Sequence, residues 1–328
     1  RSYSVTGVQT CALPIYTMSE YGCTITACPN FGQTLVNRRM ARRTGKNWDL
    51  SPLRIIFNGA EPIAPGTMRT FMESLEPYGL APEAMFPAYG LAEATLAVSL
   101  PDPGLRPECR PFDRSSLTLE GIAIPARAES PGTVELVGVG APVNGCEVIV
   151  ADNKGKPLAE GTIGNILVSG RQVSRGYFSN PDATRQVFTG KWLRTGDLGF
   201  FLDKMLFITG RSKDVIFING MNFYAHDIEQ VALQMEGMED GKVVVSGIFD
   251  DMEGRDRLLV FLTGAEGEVG EIRCQQLKHH LIHQIGITPD YFIPIRSADI
   301  ERTSSGKVRR YKLGERFRNG EFSRVWTI

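Results

Sequence analysis

No apolar run in the chain approaches the roughly 18 residues that a membrane-spanning helix needs. Apolar stretches such as residues 258–262 and 215–218 have the length of strands. Charge of either sign is not in excess. The 36 Lys and Arg stand against 37 Asp and Glu, and the net charge of −1 gives no basic footprint for nucleic acid. Cysteine is sparse: Cys11, Cys23, Cys28, Cys109, Cys146 and Cys274 form no CxxC pair and no dense framework. A reduced, cytoplasmic protein is the expectation. Internal repeats and low-complexity tracts are also missing. What remains is ordinary globular composition, 42% hydrophobic and 22% charged, over 328 residues. That length predicts about two domains.

The first residues read differently from the rest. Residues 5–15 resemble the translation of a common short-read sequencing adapter, and no basic segment followed by an apolar one marks a signal peptide. Residues 1–16 are therefore expected to be an artefact outside the fold, and the gene to be truncated upstream of Thr17.

Residues 53–57 form a β-rich run that ends at a turn signal, Asn58-Gly59. Pro65 suits the first turn of a helix. Met68, Phe71, Met72 and Leu75 then follow at helical spacing. Strand, glycine turn and helix make an α/β unit whose ligands sit at strand carboxyl ends. Residues 100–138 are rich in proline and glycine and read as a long irregular excursion. Short strands near 133–139, 147–150 and 163–169 suggest a β-rich subdomain. Beyond Gly210, strands at 215–218, 243–249 and 258–263 alternate with helices around 225–235 and 271–285, a small α+β domain.

Four motifs carry the chemistry: Tyr89-Gly-Leu-Ala-Glu-Ala-Thr95, Trp192-Leu-Arg-Thr-Gly-Asp-Leu-Gly199, Thr209-Gly-Arg-Ser-Lys-Asp214 and Thr303-Ser-Ser-Gly-Lys307. A lone Gly-Asp or Gly-Lys is common turn chemistry. A P-loop does not account for the last motif, because the position that would need its first glycine is Glu301. His279, His280 and His283 raise a metal reading, since positions 279 and 283 share a helix face. No carboxylate or cysteine falls at suitable spacing, and the run reads as a solvated helix face.

Taken in order, the four motifs resemble the adenylate-forming superfamily of acyl-CoA synthetases, luciferases and adenylation domains, and within it the fatty acyl-AMP ligases. The resemblance covers nearly everything from Thr17 onward. It implies the C-terminal part of a large α/β domain with a β-rich subdomain (residues 17–210), followed by a small mobile α+β domain (residues 211–328). It also implies roles for residues. Gly59, Ala60 and Glu61 would line the adenine pocket, where small residues let the backbone approach the ring. Tyr89, followed by Gly90, would stack on adenine. Asp197, otherwise a turn aspartate, would accept hydrogen bonds from both ribose hydroxyls. The guanidinium of Arg211 would bond ribose and phosphate oxygens. Glu93 would hold Mg2+ near the phosphates of ATP, since magnesium takes few carboxylates and several phosphate oxygens. Lys213 falls at the hinge. Lys307 would stabilise charge on the α-phosphate as pyrophosphate leaves. Ala92 stands where the wider superfamily often has a hydroxyl residue.

Asn222-Phe-Tyr224, Asp227-Ile-Glu229 and the long excursion resemble the fatty acyl-AMP ligase branch. That branch implies a fatty acid substrate and, as acceptor, the phosphopantetheine thiol of an acyl carrier protein or synthase. The family's Ser/Thr/Gly-rich phosphate loop is absent from this sequence, so the segment by itself is expected to be inactive. An AMP-forming acyl-CoA synthetase and a non-enzymatic nucleotide-binding remnant are the alternatives.

Overall fold

The computed structural model describes residues 12–41, 47–128, 130, 132–218, 221–238, 242–250, 255–265, 267–302 and 308–327. Residues 303–307, and with them Lys307, lie outside the described residues, as does Cys11.

The first part comprises α1 (Ala12–Glu20), β1 (Ile25–Ala27), α2 (Asn30–Met40), β2 (Ile55–Asn58), α3 (Pro65–Leu75) and β3 (Met85–Pro87). The three strands pair in parallel in the order β1-β2-β3. Pro65 sits in the first turn of α3, and Met68, Phe71 and Leu75 are buried as their spacing predicts. They pack with Ile15, Val36, Met40 and Ile56 in one core. Helix α1 runs across residue 16, and Ile15 is only 1% exposed. Ile15 and Met18, three apart on one helical face, both meet this core. The expectation that residues 1–16 lie outside the fold therefore fails for Ile15.

The β-rich part comprises β4 (Tyr89–Leu91), β5 (Leu96–Leu100), β6 (Cys109–Asp113), β7 (Thr133–Val137), β8 (Ala141–Pro142), β9 (Cys146–Ala151) and β10 (Gly164–Gly170). It continues through α4 (Pro181–Val187), β11 (Phe188–Thr189), β12 (Trp192–Leu202) and β13 (Met205–Arg211). The main sheet runs β11-β12-β10-β9, with β13 on β12. The excursion is less irregular than expected. β6 and β7 pair antiparallel, and a π-helical turn covers Ser116–Glu120. Fully buried Phe112 meets Phe200 and Phe207 edge-on at 5.2 and 5.5 Å. Pro111 is tolerated in β6 because, among the described strands, β6 pairs only with β7 and the backbone of Pro111 faces away from it, its carbonyl accepting from the Ala126 N–H.

The last part comprises β14 (Val215–Ile218), β15 (Met221–Tyr224), α5 (Ala225–Leu233), β16 (Val243–Asp250), β17 (Arg255–Thr263), α6 (Gly267–Ile285), β18 (Tyr291–Ile295) and α7 (Arg310–Arg318). β17 pairs antiparallel with β16 and parallel with β18. Leu258, Val260 and Leu262 face one core with α5 and α6, while Leu259 and Phe261 face another with α7. Burial on both faces is why this strand is apolar without alternation. Among the described residues, the preceding cores end at Ile208 and these begin at Ile216.

Asp290 closes one end of this sheet. It accepts from Arg255 at 2.6 Å, from Arg257 at 3.1 Å and from the Leu258 N–H at 2.8 Å. Burial pushes its carboxyl up, but these donors outweigh burial and hold it below the usual carboxylate value. The stabilisation is present above the ordinary value of 3.8 and is lost as pH falls through the lower folded one. Asp290→Ala removes the carboxylate shared by Arg255, Arg257 and the Leu258 N–H, while Arg257 keeps Asp250, and is expected to cost about 2 kcal/mol, read as a lowered denaturant midpoint at neutral pH. An unchanged midpoint would contradict this.

Candidate nucleotide site

β2 ends at Asn58, and Gly59, Ala60 and Glu61 follow at its carboxyl end. A Cβ on Gly59 would lie 2.4 Å from the Ala88 carbonyl oxygen. The glycine is therefore required by the close approach of the neighbouring segment, whatever its role toward a ring. Ala60 adopts a left-handed φ of 69°. Glu61 accepts from the Phe31 N–H at 2.8 Å, capping the first turn of α2.

Ala88 leads directly into β4. The Tyr89 hydroxyl donates to Asp197 Oδ2 at 2.7 Å across 108 positions of sequence. Asp197 is 7% exposed. Its Oδ1 accepts from Arg211 Nε at 3.1 Å, and the two residues are cross-strand partners in the β12–β13 hairpin. The Asp197 N–H donates to Thr195 Oγ1, whose own hydroxyl donates to the Ile166 carbonyl on β10. Asp197 thus lies within a strand and not in the turn its glycine neighbours suggested. Gly196 takes a φ of 77°, and the register slips after Leu198. Burial first, and the Asp197 charge second, push the Tyr89 hydroxyl well above its usual value and keep it a donor. The Tyr89 ring is 9% exposed and packs with Ala94, Val98 and Val139, so little of its face is open. Gly90 permits the β4–β5 turn: a Cβ there would lie 1.6 Å from the Leu96 carbonyl oxygen.

Glu93 sits in a short 3-10 turn, Ala92–Ala94. Its Oε1 accepts from the Tyr177 hydroxyl at 2.7 Å. One half-buried carboxylate, beside phosphate oxygens, is the donor set that magnesium accepts. The residues present fit that ion.

Lys213 is exposed in the 3-10 turn Ser212–Asp214, just after β13. The bases of the 303–307 segment are joined by an Arg302–Val308 bridge and by the Arg309 N–H donating to the Glu301 carbonyl at 2.9 Å. Arg310 then pairs with Glu229 through two bonds of 2.9 and 2.5 Å. Burial pushes the Arg310 guanidinium down, but the charges of Glu229, Asp214 and Glu61 outweigh it and raise its pKa. Asp227, the other acidic residue of that stretch, pairs with Arg114 of the excursion, both side chains largely buried.

His280 Nε2 lies 3.0 Å from the Val231 carbonyl, which joins α6 to α5. No group of three His, Cys, Asp or Glu suited to a metal occurs among the described residues. The five described cysteines are unpaired.

A parallel sheet, a loop at its strand ends and a clamped carboxylate beyond it are the arrangement of an α/β protein that binds its ligand at the carboxyl ends of strands. The chain belongs to the AMP-binding enzyme family, whose sequence profile matches residues 6–178. It is 33% identical over 319 residues to a long-chain-fatty-acid–AMP ligase of Mycobacterium marinum, covering 91% of this chain and 54% of the relative. It is 29% identical over 333 residues to a medium-chain-fatty-acid–[acyl-carrier-protein] ligase of Teredinibacter turnerae, covering 94% and 51%. A solved structure from a study of fatty acyl-adenylate ligases of E. coli and L. pneumophila superposes with a TM-score of 0.84 at 29% identity, covering 95% and 56%. The chain spans about half the length of the curated relatives it matches. No helix of the described residues is long and apolar enough to cross a membrane.

Proposed function

We propose that the whole protein activates a fatty acid with ATP to an acyl-adenylate and passes the acyl group to the phosphopantetheine thiol of an acyl carrier protein. The observation that carries this reading is the clamped carboxylate of Asp197, held by Tyr89 and by Arg211 across the β12–β13 pair, in a chain whose relatives are named as ligases of fatty acids. A carboxylate has about four acceptor sites, so Asp197 can take ribose hydroxyls beside its protein donors. Gly59, Ala60 and Glu61 line the base, Arg211 reaches ribose and phosphate, and Lys307 meets the α-phosphate from the small domain. Glu93 would hold magnesium, which when bound neutralises charge on the phosphates. Rotation at Lys213 would then admit the thiol, and such gating selects which thiol enters.

Asp197→Ala is expected to remove a charged acceptor worth about 2 kcal/mol, near 30-fold in AMP affinity. Calorimetry of AMP binding to this chain reads it directly; equal affinity in the variant would take Asp197 out of the ribose site. The acceptor is tested with the whole protein, ATP, dodecanoic acid and equal concentrations of coenzyme A and holo carrier protein. Acyl-carrier protein is expected to dominate. Acyl-CoA formed as fast would place the protein among the AMP-forming acyl-CoA synthetases.

A further inference from the structure

The loop that precedes α4 is fastened to the turn that carries Glu93 by three hydrogen bonds. The Ser174 N–H donates to the Glu93 carbonyl at 2.7 Å. The Thr95 hydroxyl donates to the Gln172 carbonyl at 2.6 Å. The Tyr177 hydroxyl donates to the Glu93 carboxylate at 2.7 Å. Only the last reaches the functional group.

Tyr177 is itself held from behind. Its N–H donates to Thr184 Oγ1 at 2.9 Å, and that hydroxyl donates to the Asn180 carbonyl at 2.9 Å. Asn180 caps α4 by accepting from the Ala183 N–H. Gly176, at a φ of 147°, lets the loop press against the helix: a Cβ there would lie 2.5 Å from the Thr184 methyl. The Tyr177 ring is 40% exposed, so core packing does not explain it. A surface tyrosine fixed through a capped helix and aimed at one carboxylate oxygen is an orienting device. Carboxylates that bind metals are commonly fixed by such outer hydrogen bonds.

We propose that Tyr177 is a positioning residue: its hydroxyl fixes the Glu93 carboxylate so that the other oxygen faces the metal–nucleotide complex. This rests on the reading of Glu93 as the magnesium residue. Tyr177→Phe keeps the ring and removes only the donor. Losing such an outer partner typically weakens metal affinity by roughly tenfold or more.

The test uses the whole protein with ATP and Mn2+ as the probe, free Mn2+ being read by electron paramagnetic resonance. Tyr177→Phe is expected to raise the Mn2+ dissociation constant about tenfold, and Glu93→Gln at least as much. The double variant is expected to bind no worse than Glu93→Gln alone, because the hydroxyl acts only through that carboxylate; a general structural role would add its own loss. A normal Mn2+ affinity in Tyr177→Phe beside a loss in Glu93→Gln overturns the role of Tyr177 and leaves the Glu93 reading standing. So does a further loss in the double variant. Normal affinity in Glu93→Gln removes Glu93 from the metal site and overturns both.

Discussion

This chain, tested alone with ATP, magnesium and a panel of fatty acids, is expected to release pyrophosphate at no useful rate. The residues proposed for adenine and ribose, Gly59 to Glu61, Asp197 and Arg211, are in this segment, as is Tyr89, which holds Asp197. Residues 17–58 hold no Ser/Thr/Gly-rich loop to cradle the triphosphate, and the matched relatives are about twice as long. Positioning of reactants can supply about 7–11 kcal/mol of a barrier. Losing the donors that place the α-phosphorus against the carboxylate forfeits a large part of it. AMP binding is expected to survive, since the contacts proposed for it lie within the segment. Robust turnover by this segment would show that the triphosphate is held by groups already in it.

In the whole protein, Lys307→Ala is expected to slow adenylation roughly a hundred- to a thousandfold, the usual cost of one transition-state electrostatic contact. Transfer from preformed acyl-adenylate to the thiol is expected to change far less, because no charge then develops on the phosphate oxygens in the same way. Single-turnover measurements of the two half-reactions separate the outcomes. Equal slowing of both would mean that Lys307 supports the domain arrangement and not the phosphoryl-centred step.

Elements with local signals were legible in the sequence. Helix α3 announced itself through Pro65 and the Met68–Phe71–Leu75 spacing, and β14 was read to the residue from four apolar positions after Asp214. Within the excursion, β7 matches the strand expected near 133–139, but β6 was not legible, because it contains Pro111 and its partner lies some twenty residues away. Asp197 was read as a turn because glycine flanks it; the hairpin that makes it face Arg211 depends on a register slip that sequence does not display. The candidate site residues come from motifs, which carry no sign of how those side chains are fastened. Tyr89 reaches Asp197, and Tyr177 reaches Glu93, over separations that only the folded chain closes. The Asn180-Pro181 pair could have signalled a capped helix behind Tyr177, but nothing in it pointed to Glu93. The acidic residues of Asp227-Ile-Glu229, read as a family marker, turn out to be ion-pair partners of Arg114 and Arg310.

ATP and a fatty acid are expected to react at this site in the whole protein to give acyl-adenylate and pyrophosphate. Isotope exchange between labelled pyrophosphate and ATP measures that step alone, without any thiol acceptor. The whole protein is expected to exchange label only when a fatty acid and magnesium are both present, and Asp197→Ala and Lys307→Ala are expected to suppress it. Exchange that ignores the fatty acid, or none with any chain length while AMP still binds, would contradict the account.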